Sequence, residues 1–178
     1  GTSLQPQATF ENAHHREFLP LSALQGVSNG ELLSQYSMAR SAKSEIASHV
    51  HFLTNYIENF STAIAEQQAK RLALVIYSES HRAAVDPFLV AAIIQSESSF
   101  RTSALSNRSA YGLMQVQPAT AEFTAKMVKT PWRGAQSLIR DEVYNVRLGI
   151  AYLKYLHRRF DNDLEKALIA YNWGPTNL

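Results

Sequence analysis

Apolar residues in this chain recur at three- and four-residue intervals, and nowhere do they alternate over a useful length. This constrains the fold most, because strands need a two-residue period and helices one of about 3.6. Ile46, Val50, Leu53, Ile57 and Phe60 form such a stripe and predict an amphipathic helix over 44–61. Leu72, Val75 and Ile76 place a second over 66–81. Asp86-Pro87 is a start signal, an N-cap with proline at the first helical position. The helix it opens is apolar on every side from Phe88 to Ile94, so burial is expected. Residues 101–117 are rich in Ser, Asn and Gly and read as a long loop. Pro118 opens a short helix reaching about Lys129, and 130–134 break the chain again. Val143, Val146, Ile150, Leu153, Leu156 and Phe160 mark a long helix over 141–160. Asp163 caps a last one running to about Asn172, stopped by Gly174-Pro175. The fold class is therefore all-α. Pro6, Pro20, Gly26, Asn29 and Gly30 make the first thirty or so residues an irregular arm or short helices. The expected division is an arm and helical extension over 1–65 and a main domain over 66–178.

At 178 residues, 46% of them hydrophobic, the chain can bury a proper core. Its longest apolar run, Phe88 to Ile94, is far too short to cross a bilayer. Gly1-Thr2-Ser3 reads as a processed or trimmed start, so membrane anchoring depends on residues upstream. The absence of cysteine excludes disulfides, thiolate metal sites and a cysteine nucleophile. A net charge of +2 suits an anionic polymer and equally an ordinary soluble surface. No Gly-rich phosphate loop, Gly-x-Ser-x-Gly or His-Glu-x-x-His occurs. His49 and His51 would diverge on a helix, and His14-His15 sits in the arm, so no metal site is expected. Lys154, His157, Arg158 and Arg159 cluster late in one helix, where cations are favoured anyway. A nucleic-acid partner is not expected.

Glu97 is the informative residue. It follows Ile93 and Ile94 by one turn, at the C-terminal end of the buried helix. Desolvation and the negative end of the helix dipole both oppose its ionisation. A carboxyl that holds its proton near neutral pH is what a general acid needs. From this local sequence alone, an exposed carboxylate at a fraying helix end is an equal reading. Ala110-Tyr111-Gly112-Leu113-Met114-Gln115-Val116-Gln117-Pro118 reads as a turn before a buried stretch, and Ala170-Tyr171-Asn172-Trp173-Gly174-Pro175 as a helix end.

In this order, Glu97-Ser98, Gly112 to Gln115 and Ala170 to Pro175 resemble the catalytic domain of the soluble lytic transglycosylases, relatives of goose-type lysozyme. Asn145-Val146, Gly149 and Tyr152-Leu153 match an intervening family stretch. The resemblance covers about residues 83–178. It implies a lysozyme-like helical domain over 66–178 and an envelope or periplasmic location. It makes Glu97 the catalytic acid with Ser98 near it, and has Met114 and Gln115 line the saccharide cleft. Tyr171 would hydrogen-bond Glu97, and Asn172 would support the sugar site. Tyr111 and Trp173 offer rings for stacking on sugar, core packing being expected of Trp173, where the family commonly has a small residue. The family continues with another helix past the point where this sequence stops, so the resemblance assigns part of the cleft wall to that helix. Gly149 inside a helix, costing roughly 1 kcal/mol against alanine, is expected to mark close helix packing.

Most glycosidases need two carboxylates, but no Asp or Glu lies between Ser98 and Ala121. One acid suits substrate-assisted cleavage of peptidoglycan, forming 1,6-anhydro ends without metal or cofactor. Two other readings stand beside it. One is a lysozyme-type hydrolase in which Glu122 or Asp141 activates water. The other is a non-catalytic wall-binding or scaffold module that docks an envelope-machinery partner through the helices over 31–81, against a core role for their stripe.

Overall fold

The computed structural model describes residues 28–61 and 64–173. Among the described residues there are seven helices and two isolated β-bridges, and no strand. The helices are α1 (Asn29–Phe60), α2 (Glu66–Ala83), α3 (Pro87–Ser98), α4 (Pro118–Met127), α5 (Ser137–Arg140), α6 (Glu142–Arg159) and α7 (Leu164–Trp173). The arm expected over residues 1–27 and the Gly174-Pro175 stop lie outside the described residues.

Helix α1 starts well before the position its apolar stripe predicts. Ser28 Oγ accepts from the Glu31 backbone N–H at 3.3 Å, and the Glu31 carboxylate accepts from the Ser28 N–H at 2.9 Å. This reciprocal cap satisfies two backbone or hydroxyl groups at the frayed end and launches the helix. The chain divides into two compact units, Gly1–Ile46 and Ala47–Leu178. In the first, Leu32, Leu33, Tyr36 and Met38 are exposed. In the second, Val50, Leu53 and Ile57 of α1 are buried, as the stripe predicts, whereas its last member, Phe60, is exposed.

The second unit is organised on α6. Asp141 caps it by accepting from the Tyr144 N–H at 2.9 Å. Burial then covers most of its circumference, from Tyr144 through Leu148 and Ile150 to Leu156. Helices α2, α4, α5 and α7 all pack on it, and α3 packs on α2. Each fully buried Leu or Ile contributes about 1.5–3 kcal/mol. A buried ion-pair cluster ties α2 to α6. The Glu79 carboxylate accepts from Arg147 at 2.9 and 3.0 Å and from Arg82 at 2.6 and 3.0 Å. Burial alone would raise the Glu79 carboxyl, but the hydrogen bonds from Arg147 and Arg82 hold it below the usual glutamate range.

Gly149 in α6 marks a close approach, as expected. A Cβ there would stand 2.5 Å from Met114 Sδ and 2.7 Å from its Cβ. Gly149→Ala gains helix propensity but overpacks this contact. A net loss of about 1–3 kcal/mol is expected, read by urea denaturation.

Candidate active site

Helix α3 carries the candidate acid to the edge of the core. Asp86 caps it by accepting from the Phe88 N–H at 2.8 Å, with Pro87 at the first helical position. Val90, Ala91, Ile93 and Ile94 are buried, which fixes the helix in place. Ser99 and Phe100 end it in the left-handed region, with φ of 50° and 62°. Glu97 thus sits in the last turn, half-buried. Burial pushes its carboxyl above the ordinary glutamate range, and no charged group among the described residues offsets this. Ser98 is buried beside it. Its hydroxyl donates to the Ile94 carbonyl at 3.1 Å, while Arg101 Nε donates to the Ser98 carbonyl at 3.0 Å. Ser98 therefore secures the helix end and has almost no surface of its own, being 1% exposed.

The second segment is a tight turn. Tyr111 and Val116 exchange backbone hydrogen bonds at 3.1 Å, closing the turn formed by residues 112–115. Gly112 adopts φ +74°, and Gln115 is left-handed at +47°. Gln115 Nε2 donates to the Gly112 carbonyl at 2.9 Å and to the Ala104 carbonyl at 3.3 Å, so its amide laces the loop together. Met114 was expected to line a cleft. Its side chain is instead wholly buried against Gly149. An apolar residue beside a site reads the same from sequence whether it faces ligand or core.

The buried Asn145 of α6 holds this turn. Its Oδ1 accepts from the Met114 N–H at 2.9 Å. Its Nδ2 donates to the Tyr111 carbonyl at 2.8 Å and the Leu138 carbonyl at 3.0 Å. The sequence motif contains Asn145, but nothing local announces that it ties the 111–116 turn to α5.

Tyr171 of α7 completes the arrangement. Its hydroxyl donates to the Met114 carbonyl at 2.9 Å, rather than to Glu97 as expected. It still lies near the acid. Burial raises the phenol well above its ordinary value, and the Glu97 charge raises it further. The Tyr152 ring stands 5.4 Å from that of Tyr171. Asn172 is exposed next to it. Trp173, expected in the core, is 62% exposed.

The carboxylates considered as second bases are committed elsewhere. Glu122 pairs with Lys126 at 3.1 Å on α4. Asp141 caps α6 and pairs with Arg133 at 2.8 Å. Burial opposes its charge, yet the Tyr144 N–H and Arg133 hold its carboxyl below the usual aspartate range. Among the described residues, no group of His, Asp and Glu is disposed to hold a metal ion.

Among the described residues, the helices thus bring a half-buried carboxyl held above its ordinary range, Glu97, near the partly buried Tyr171. The family model "Transglycosylase SLT domain" matches residues 74–178, and the chain belongs to that family. Among curated relatives, the soluble lytic murein transglycosylase of Salmonella typhimurium is 40% identical over 85 residues, 47% of this chain and 13% of that protein. The membrane-bound lytic murein transglycosylase C of Edwardsiella ictaluri is 32% identical over 117 residues, 61% of this chain and 33% of that protein. In structure, the chain resembles the lytic transglycosylase Slt of Pseudomonas aeruginosa, solved as an inactive glutamate-to-glutamine variant. That match has a TM-score of 0.55 and 27% identity, and covers 88% of this chain and 25% of the other. The 70 kDa soluble lytic transglycosylase of Escherichia coli matches at a TM-score of 0.57 and 25% identity, covering 75% of this chain and 24% of that one. The chain thus spans a small part of the relatives' length.

Proposed function

We propose that residues 66–178 form the catalytic domain of a peptidoglycan lytic transglycosylase of the periplasm or cell envelope. It cleaves the β-1,4 bond between N-acetylmuramic acid and N-acetylglucosamine in glycan strands. One observation carries this reading: Glu97 is half-buried, is pushed toward its protonated form by that burial, and has no charged partner among the described residues. The commitment of Glu122 and Asp141 to other groups supports a mechanism without a second carboxylate.

Glu97 gives its proton to the glycosidic oxygen as the bond to the muramic C1 breaks. The muramic 2-acetamido oxygen shares the positive charge at C1. Glu97, now a carboxylate, takes the proton from the same sugar's O6 as O6 bonds to C1. The products are a 1,6-anhydromuramic end and a free N-acetylglucosamine end, and no water is consumed. Because O6 and C1 belong to one ring, intramolecularity supplies up to roughly 7–11 kcal/mol. Ser98 positions the helix end, Tyr171 orients beside the acid, and Gln115 and Asn172 contact sugar. Met114 contributes through its backbone carbonyl. The helices over 31–81 are the segment available to a protein partner, and no membrane-spanning helix occurs among the described residues.

Mass spectrometry of digested peptidoglycan tests the reaction. Muramic ends lacking one water relative to hydrolysed ends are expected. Ends carrying that water would assign a lysozyme-type hydrolysis instead, and an undigested wall would leave only the binding-module reading.

A further inference from the structure

We propose that Arg101 reads negative charge on the substrate: its guanidinium, tethered to the residue next to the acid, receives a carboxylate carried by the muramic sugar. This rests on the reading that a glycan strand lies against Glu97.

Two left-handed residues, Ser99 and Phe100, turn the chain back at the end of α3. The turn brings Arg101 onto the helix end twice over. Its backbone N–H donates to the Ser98 carbonyl at 3.1 Å, and its Nε donates to the same oxygen at 3.0 Å. The Arg101 carbonyl accepts from the Ala104 N–H at 3.2 Å, which pins the other side of the residue. An orphan carbonyl at a helix C-terminus is satisfied once the backbone N–H reaches it. The second bond instead fixes the plane of the guanidinium.

That leaves the Nη1 and Nη2 edge of a flat, held cation unused. Arg71, Arg82, Arg133 and Arg147 all meet carboxylates. Among the described residues Arg101 meets none, and Nε makes its side chain's only hydrogen bond. The loop that follows supplies no partner, since no Asp or Glu lies between Ser98 and Ala121. Arg101 is exposed. Nor does the cation serve the acid, because burial raises the Glu97 carboxyl with no charge offsetting it. The helix dipole favours positive charge at this end, but a lysine would meet that need. A fixed fork of N–H groups is the shape that a carboxylate fills. The muramic substituent on C3 belongs to the same ring as the C1 that Glu97 serves. It ends in a lactyl carboxylate where the peptide stem is absent, and an intact stem bears carboxylates of its own. A strand of N-acetylglucosamine alone has none.

Binding in the Glu97→Gln background, read by isothermal titration, tests this without turnover. The probes are chitohexaose, a stem-free glycan strand with its lactyl carboxylates, and a strand with intact stems. Adding Arg101→Gln is expected to weaken a carboxylate-bearing probe about tenfold, the scale of a lost charge-assisted pair, and to leave chitohexaose unchanged. Whichever probe weakens identifies the source of the carboxylate. Equal weakening of all three, or of none, overturns the proposal. Arg158→Gln removes the same charge from the last turn of α6, where Arg158 is exposed. It is expected to leave the ratios between probes unchanged. A change matching that of Arg101→Gln would make the effect one of net charge and overturn the site. Should Arg101→Gln fail to fold, Arg101→Lys keeps the charge without the tethered fork. It is expected to lose most of the preference, and full retention overturns the proposal. If chitohexaose binds and carboxylates add nothing, this proposal falls alone. If no probe binds at all, the glycan reading falls with it.

Discussion

Glu97→Gln is expected to lower wall lysis by about 10²–10⁴-fold while binding to intact sacculi persists, as a positioned general acid contributes that much. The exchange keeps the shape of the side chain and removes only its proton chemistry. The last turn of α3 is held by Ile93, Ile94 and Ser98, none of which depends on the carboxyl. Turbidity loss of a sacculus suspension reads lysis, and co-sedimentation reads binding. Unchanged lysis would remove Glu97 from the mechanism. The same carboxyl sets a pH dependence. Its folded pKa is raised by burial, so activity that needs the proton falls as pH rises through that raised value. Stability follows the same direction. The fold binds the proton more tightly than the unfolded chain, so the carboxyl's favourable contribution is full below its unfolded pKa and is lost as pH rises through the folded one. The Gln variant should therefore match the wild type in acid and be the more stable at neutral pH, as urea melts at the two pH values would show. An acid kept for catalysis at a cost in stability behaves this way, and a structural glutamate does not.

Local chemistry explains what was legible in the sequence. Asp86-Pro87 and Asp163 announce helices α3 and α7 because a cap is made within three or four residues of its own helix, while α6 was legible from its apolar spacing. Glu97 stood out for the same reason, as an acid one turn beyond a run that is apolar all round. Helical chain was expected from Glu31 onward, close to the start of α1, but the apolar stripe itself begins only near residue 44, because it says nothing of where an exposed helix begins. Helix α5, at four residues, is too short to have a period. Other features lie beyond local reading. The acceptor of the Tyr171 proton is a backbone carbonyl 57 positions away. Arg147 meets Glu79 across 68 residues, though Arg82, three positions on, is a legible partner. The resemblance named the segments, but it could not show that the Met114 side chain is buried against Gly149 or that Asn145 holds the turn.

Gly112→Ala is expected to be the most damaging small change in the chain, and a second glycine shows why. Gly112 and Gly134 both adopt positive φ, +74° and +80°. An alanine at either must bear left-handed strain of roughly 1–2 kcal/mol. At Gly134 nothing lies within 4 Å of the added Cβ, so strain is the whole cost. At Gly112 the same atom would overlap the Leu138 carbonyl oxygen and the Asn145 amide. Those two groups are hydrogen-bonded to each other at 3.0 Å, so neither can yield without breaking the clamp. Leaving such buried groups unpaired adds about 1–3 kcal/mol for each. Gly112→Ala should therefore lose at least about 3 kcal/mol, a large share of the 5–15 kcal/mol that holds a typical domain together. Gly134→Ala should lose about 1 kcal/mol. Denaturant midpoints of the two variants give the comparison. Equal losses would mean that the Asn145 clamp carries no weight, and that the turn beneath Tyr171 is held by its own backbone alone.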